Sequence, residues 1–411
     1  MADSDVEVVI VGGGAAGIAA GRRLHDAGVP CLIVEARTRL GGRAWTVTDN
    51  SGVALDLGCG WLHSADRNPW SDVAQAQGRT IDKTPPPWSR PSLPFGFPPD
   101  QQREAFAALQ AFWGRVHEAA EGADDAAAAT VLEPGGRWNG LIRAVLTYVS
   151  GGELEQVSIA DLWNYDDSGV NWRVREGLGT TIAACGDGVP VMLGCPVHRI
   201  DHGGKRIAIE TAKGTIAADS VIVTLPSAVI AEQRVTFSPT LSAKVDAAAG
   251  LPLGLADKLF LSLDGAEEFD KDSRLFGRTE RGKTGAYHFR PFGRPQIEAY
   301  FGGACADELE AAGKGAFFDF ARSELVALLG ADFARRIKPL YHHGWRGDPF
   351  ARGSYSYALP GSAGCRAALA APVDNRLFFA GEASSASDFS TAHGGWLTGV
   401  RAAEEVMGAR R

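Results

Sequence analysis

The apolar positions of this chain change period as they run. Val6 to Val11 reads VEVVIV, a nearly unbroken β-branched run, and predicts a strand covered on both faces as in a parallel sheet. The next stretch, IAAGRRLHDAG, spaces Ile18, Ala19 and Leu24 for a helix that ends at Gly28. Val29 to Val34 predicts a second strand. Much later, LFLSL predicts a strand that Lys258 enters behind Asp257, drawing a lysine toward a buried sheet. Such an ammonium is costly unless its pKa falls or it meets a carboxylate or an ordered water. The run PPPWSRPSLPFGFPP, Pro85 to Pro99, predicts a rigid extended excursion and a domain crossing, because proline fixes φ and removes donors.

Composition narrows the classes. A chain of 411 residues, 45% hydrophobic and 22% charged, is folded and globular and is comfortable as two domains. The 41 basic against 49 acidic residues leave a net charge of −8, so no surplus exists to neutralise nucleic acid or anionic lipid. A mildly acidic surface favours a cationic substrate instead. The six cysteines (31, 59, 185, 195, 305 and 365) form no CxxC pair and no metal-ligand spacing, and are expected to be buried thiols. The acidic MADSDVE start leaves no room for a secretory signal, and no apolar run nears the about 18 residues that span a bilayer. A cytoplasmic protein without membrane or metal is the expectation.

Gly12, Gly14 and Gly17 form GxGxxG between the first strand and its helix, which Ala15 and Ala16 open. Glu35 closes the second strand 21 positions after Gly14, where a carboxylate binds ribose hydroxyls. The glycines let the backbone approach a pyrophosphate, and the helix N-terminus offers it free N–H groups. Ala36 and Arg37 follow, then Gly41, Gly42 and Arg43. A second glycine turn carrying a guanidinium suits a flavin dinucleotide more than a nicotinamide one.

These segments, with LDLGCGWLHSADRNPW, VREGLGTTIAACGDGVPVMLGCPVHRI, LPLGLADKLFL, GWRGDPFARGSYSYALPG and NRLFFAGEASSASDFSTAHGGWLTGVRAAEEV in this order, resemble the flavin amine oxidases: monoamine oxidases, polyamine oxidases and lysine-specific histone demethylases. The resemblance implies an α/β fold, a Rossmann-like FAD-binding domain from 1–82, 173–253 and 345–411, interleaved with an α+β substrate domain from 83–172 and 254–344. It implies that Gly60, Trp61, Val197, Trp345, Gly381, Glu382 and Leu397 join the glycine-loop residues around FAD, and that Lys258 holds a water near the flavin. Tyr355 and Trp396 would face each other as an aromatic slot, with His63 at the substrate. Ser354 stands where monoamine oxidases carry a flavin-linked cysteine, so the FAD is expected to be dissociable.

The implied reaction takes a hydride from an amine C–N bond, gives an imine and then a carbonyl, and reduces molecular oxygen to hydrogen peroxide. The alternative is a flavin desaturase, or an amine dehydrogenase that uses another acceptor. A reductase would want a second nucleotide unit, for which GLGTT at Gly177 is the nearest candidate. An amino-acid substrate would want an arginine, with Arg173, Arg290 and Arg294 as candidates, and a homodimer is compatible with the sequence.

Overall fold

Val8, Val9, Ile10 and Val11 are all but fully buried, and their side chains alternate between two separate cores. That is the demand of a strand sandwiched between layers. In a computed structural model describing residues 6–122 and 124–410, the elements that matter for function run in chain order. They are β1 (Val8–Val11), α1 (Ala15–Asp26), β2 (Cys31–Val34), α2 (Pro69–Ala76), α3 (Pro99–Ala120), α4 (Asn139–Ser150), α5 (Leu178–Ala184), β3 (Val191–Met192) and β4 (Ser220–Val223). There follow β5 (Ala256–Leu263), β6 (Ser273–Phe276), β7 (Ala286–Phe289), β8 (Gln296–Gly302), β9 (Ile337–His342), β10 (Leu377–Phe379) and α6 (Ala392–Ala409). The acidic first five residues lie outside the described part.

The first sheet is parallel throughout, in the order β10–β4–β1–β2–β3. Helices α1 and α6 pack side by side on one face, closely enough that a Cβ at Gly399 would stand 2.2 Å from the Ala16 carbonyl oxygen. A separate four-stranded sheet, with Val197–Asp201 inside it, leans on the opposite face through Ile200, Ile209 and Phe237. The third large sheet is antiparallel, ordered β6–β7–β8–β5–β9, and α3 and α4 cover part of it. The molecule is thus mixed α/β with one parallel and one antiparallel core. No described helix is long and apolar enough to cross a membrane.

Local expectations meet some corrections. The first helix stops at Asp26, with Gly28 taking φ +72° just beyond it. The proline run is not uniformly extended. A 3-10 turn at Pro87–Ser89 interrupts it, the Leu93 N–H docks on the Arg274 carbonyl at 2.7 Å, and Pro99 starts α3 where its missing N–H costs nothing. Only Cys31, Cys195 and Cys305 are buried. Cys59, Cys185 and Cys365 are half-buried because they stand in a loop or at helix ends.

Candidate functional site

A cavity of about 910 Å³ runs from the C-terminal ends of the parallel strands to the inner face of the antiparallel sheet. Its first end is walled by Gly12, Gly14, Ala15, Ala16, Glu35, Ala36, Arg37, Gly42, Arg43 and Val197. Gly14 caps α1 without any side-chain partner, so the first N–H groups of the helix remain free for a ligand. A Cβ on Gly42, at φ +57°, would stand 3.1 Å from the Gly14 Cα, so the two glycine turns can cross only as glycines. The buried Glu35 carboxylate accepts from Gly13 N at 2.6 Å and Arg37 N at 2.7 Å. These bonds aim it and leave lone pairs for hydroxyl donors. This cradle of bare backbone, helix terminus and fixed carboxylate fits a dinucleotide. Arg37 is held by Asp348 at 2.5 Å, and Arg43 by Glu382 at 2.8 Å and the Ser354 carbonyl at 2.7 Å.

At the other end the sheet supplies ionisable groups. Lys258 lies within β5, opposite Tyr300 of β8, and its Nζ meets Glu298 Oε1 at 3.0 Å and donates to the Asp56 carbonyl at 3.1 Å. Burial pushes the ammonium pKa down, but the charges of Glu298 and Asp56 outweigh it and leave Lys258 above its ordinary value. Burial likewise raises Glu298, and Lys258 more than reverses that, so its carboxyl lies below the usual range. The pair is held ionised. Gly60 makes room above it, since a Cβ there would stand 3.2 Å from Lys258 Nζ.

The Tyr355 hydroxyl donates to the Tyr148 carbonyl at 2.5 Å, which leaves Tyr300, 3.2 Å away, to donate to it. Burial, with Tyr300 beside it, raises the Tyr355 phenol well above its ordinary value. Ser354 Oγ donates to the Ala256 carbonyl and accepts from Ala256 N, both at 2.9 Å. His63 Nδ1 lies 2.6 Å from Asn171 Oδ1, and Asn171 Nδ2 donates to the Gly169 carbonyl. That orientation of the amide makes Nδ1 the protonated nitrogen and Nε2 the free acceptor. Burial lowers the His63 pKa, with Asp167 and Asn171 opposing. Trp61 stacks edge-on against Trp88, 4.4 Å away, and Trp88 is half-exposed at the mouth.

Gly60, Trp61, His63, Lys258, Trp345, Tyr355, Gly381 and Glu382 all line this cavity. Three expected residues do not. Gly17 lies behind the loop, where a Cβ would come 1.9 Å from the Gly12 carbonyl oxygen, so it serves the close packing of α1 on the turn. Trp396 lies a turn inside α6, with its ring 4.7 Å from Trp70 at 74°, and Leu397 points outward and is exposed. The reason is the helix period: Thr391, Ala392 and Gly395 take the cavity side, and Thr391 Oγ1 caps the helix at Gly394 N. Among the described residues the Trp396 ring packs on Trp70, while the Tyr355 hydroxyl meets Tyr300 and the Tyr148 carbonyl.

None of the arginines named for a carboxylate lines the cavity. Arg173 meets Asp82 and Asp272, Arg290 the Phe269 carbonyl, and Arg294 the carbonyls of Ala54 and Arg175. At Gly177 the α5 N-terminus is already capped, since Leu178 and Gly179 donate to Asp56 and Thr180 to Thr46. It offers nothing to a second nucleotide. Glu298 and Tyr300 were missed, although QIEAYFG alternates polar and apolar residues and thereby announces a sheet face with chemistry on it. Thr391 before AHGG was a readable cap signal. Asp56 and Asn171 carry no local mark. Among the described residues no group of three His, Cys, Asp or Glu side chains comes together as a metal site.

A family model described as flavin containing amine oxidoreductase matches residues 15–77 and 99–407. Lysine-specific histone demethylase 1 homolog 1 of Oryza sativa subsp. japonica is 29% identical, over 98% of this chain and 52% of its own length. Polyamine oxidase 2 of Arabidopsis thaliana is 28% identical, over 97% of this chain and 87% of its own. Lysine-specific histone demethylase 2 of Homo sapiens is 26% identical over 97% of this chain. The chain thus spans about half the length of the demethylases it matches, at 52%, 58% and 57% for the first three.

Proposed function

This chain belongs to the flavin containing amine oxidoreductases, and from that premise we propose that it oxidises a small-molecule amine at a C–N bond using non-covalently bound FAD. The observation that carries the proposal is the joining, in one cavity, of a dinucleotide cradle with the Lys258–Glu298 pair and Tyr355. Bound flavin supplies the two-electron acceptor. Its dinucleotide arm would lie over Gly12, Gly14 and Gly42, with Glu35 taking ribose hydroxyls. Arg43 and Glu382, bonded to each other, would stand where the arm turns into the cavity.

The chain's own groups do the rest. An amine must lose its ammonium proton before it can yield hydride. His63, uncharged at neutral pH with Nε2 free, accepts that proton. Lys258 stays protonated, so it cannot be the base. It donates to a water that hydrolyses the imine to a carbonyl. Tyr355 and Tyr300 wall the reacting carbon away from bulk water. Molecular oxygen is the acceptor we propose, with peroxide as the product. Ser354 has no thiol and spends its hydroxyl on Ala256, so acid precipitation should release all yellow colour into the supernatant.

The test is an anaerobic titration of purified yellow protein with a polyamine, an aryl-alkyl amine, a cyclic tertiary amine and amino acids, followed by flavin absorbance. Bleaching by an amine, and recovery with stoichiometric peroxide on admitting air, is the expected result. Bound flavin that no amine bleaches, but that NADPH or an unsaturated precursor does, would end the proposal.

A further inference from the structure

The cavity face of the antiparallel sheet carries two cross-strand rows. Phe276, Ala286, Tyr300 and Lys258 form one, and Arg274, His288, Glu298 and Phe260 the next. Residues directly opposite on antiparallel strands share a face. The ionisable groups of these rows are matched, Lys258 to Glu298 at 3.0 Å and His288 to Asp272 at 2.9 Å, with one exception. Arg274 lines the cavity, its Nε is buried without a partner, and no charged group among the described residues perturbs it. Its guanidinium has only the Phe276 ring, 5.1 Å from the centroid. Burial lowers its pKa to about 10, which leaves it charged at neutral pH.

A buried cation without a counter-charge is costly. The two fully buried guanidiniums are charge-paired: Arg173 meets two aspartates, and Arg366 binds Asp161 at 2.6 and 2.8 Å, whereas Arg274, half-buried and opening on the cavity, has no carboxylate. Arg274 is therefore left for a partner that arrives from outside.

We infer that Arg274 recognises a carboxylate on the amine substrate, which makes the substrate an amino acid whose carboxylate is set apart from the reacting C–N bond by a spacer. This rests on the amine-oxidising reading of the cavity. The spacer follows from the sheet: β6 and β5 are three strand spacings apart, on the order of 14 Å, so Arg274 and Lys258 act on opposite ends of a ligand. A polyamine fits less well. Glu298 is taken by Lys258 and Asp161 by Arg366, which leaves the second ammonium only Asp167 here, a lining carboxylate whose charge acts on His63, so spermidine is the competing ligand in the test.

The experiment compares 6-aminohexanoate, hexylamine and spermidine as reductants of the holoenzyme, in wild type, Arg274→Met and Arg274→Lys. Binding of hexanoate, which cannot be oxidised, is measured alongside by its effect on flavin absorbance and melting temperature. Wild type should prefer 6-aminohexanoate. Arg274→Met should cut its preference over hexylamine, and weaken hexanoate, by about ten- to a hundredfold, the worth of a charged hydrogen bond. Arg274→Lys, which keeps the charge and loses the fork, should fall between and serves if the methionine variant does not fold. Unchanged hexanoate affinity in both variants, or a wild type that prefers spermidine, overturns the inference. If no amine bleaches the flavin while hexanoate still depends on Arg274, the oxidase reading has failed and the carboxylate site stands.

Discussion

At the residue scale the buried pair Lys258–Glu298 has two separable roles. Removing one partner leaves the other charge buried alone, so Lys258→Met should cost about 3–5 kcal/mol of stability and slow flavin reduction. The double variant Lys258→Met/Glu298→Gln should regain most of the stability in denaturant melts and none of the rate. A regained rate would show that the lysine only balanced the glutamate. His63 gives a pH signature. Because burial lowers its pKa, the proton-accepting form persists below the ordinary imidazole value of about 6.5 and is lost only as pH falls further. Single-turnover rates should therefore drop on an acid limb below that value, and His63→Gln should lower the plateau and flatten the limb. The sequence exposed Lys258 and His63 through their motifs but hid Asn171 and Asp56, whose partners lie 108 and 202 positions away.

At the element scale, α6 shows how one helix divides its duties. Its capped first turn faces the cavity, while Trp396 anchors the next turn on Trp70, whose Nε1 donates to the Ala392 carbonyl at 2.9 Å. Trp70 is fully buried, so Trp70→Ala should cost about 3–5 kcal/mol and tilt the first turn of α6. Substitution at Trp396 should lower the melting temperature and leave substrate discrimination alone. Tyr355→Phe should do the reverse, read as a change in KM and kcat with little change in melting. The β1–α1–β2 unit was legible because strand, turn and helix are dictated by neighbours a few residues apart. The packing of Trp396 on Trp70 was not legible, because a motif gives a residue's place in the chain, whereas the face it takes depends on where the helix cap falls.

At the scale of the whole molecule, the cavity exists only because strands from distant stretches close on one another. Buried carboxylates tie those stretches together. Asp272, fully buried, receives His288 from β7 and Arg173 from beyond α4. Burial alone would raise its pKa, yet the His288 hydrogen bond and the Arg173 charge hold it at about 2. A depressed carboxylate contributes stability that is fully present above its unfolded pKa of about 3.9 and is lost as pH falls through about 2. Asp272→Asn should be less stable than wild type at neutral pH, with the gap in melting temperature closing between those two values. The sequence by itself determined the parallel-sheet nucleus, the glycine turns with Glu35 at their edge, and the family, because each depends on backbone conformation and short-range periodicity. Only the tertiary structure decided which ions meet. Arg173 was drawn into a structural pair and Arg274 was left unpaired in the cavity, since pairing depends on the register of strands that no local pattern encodes.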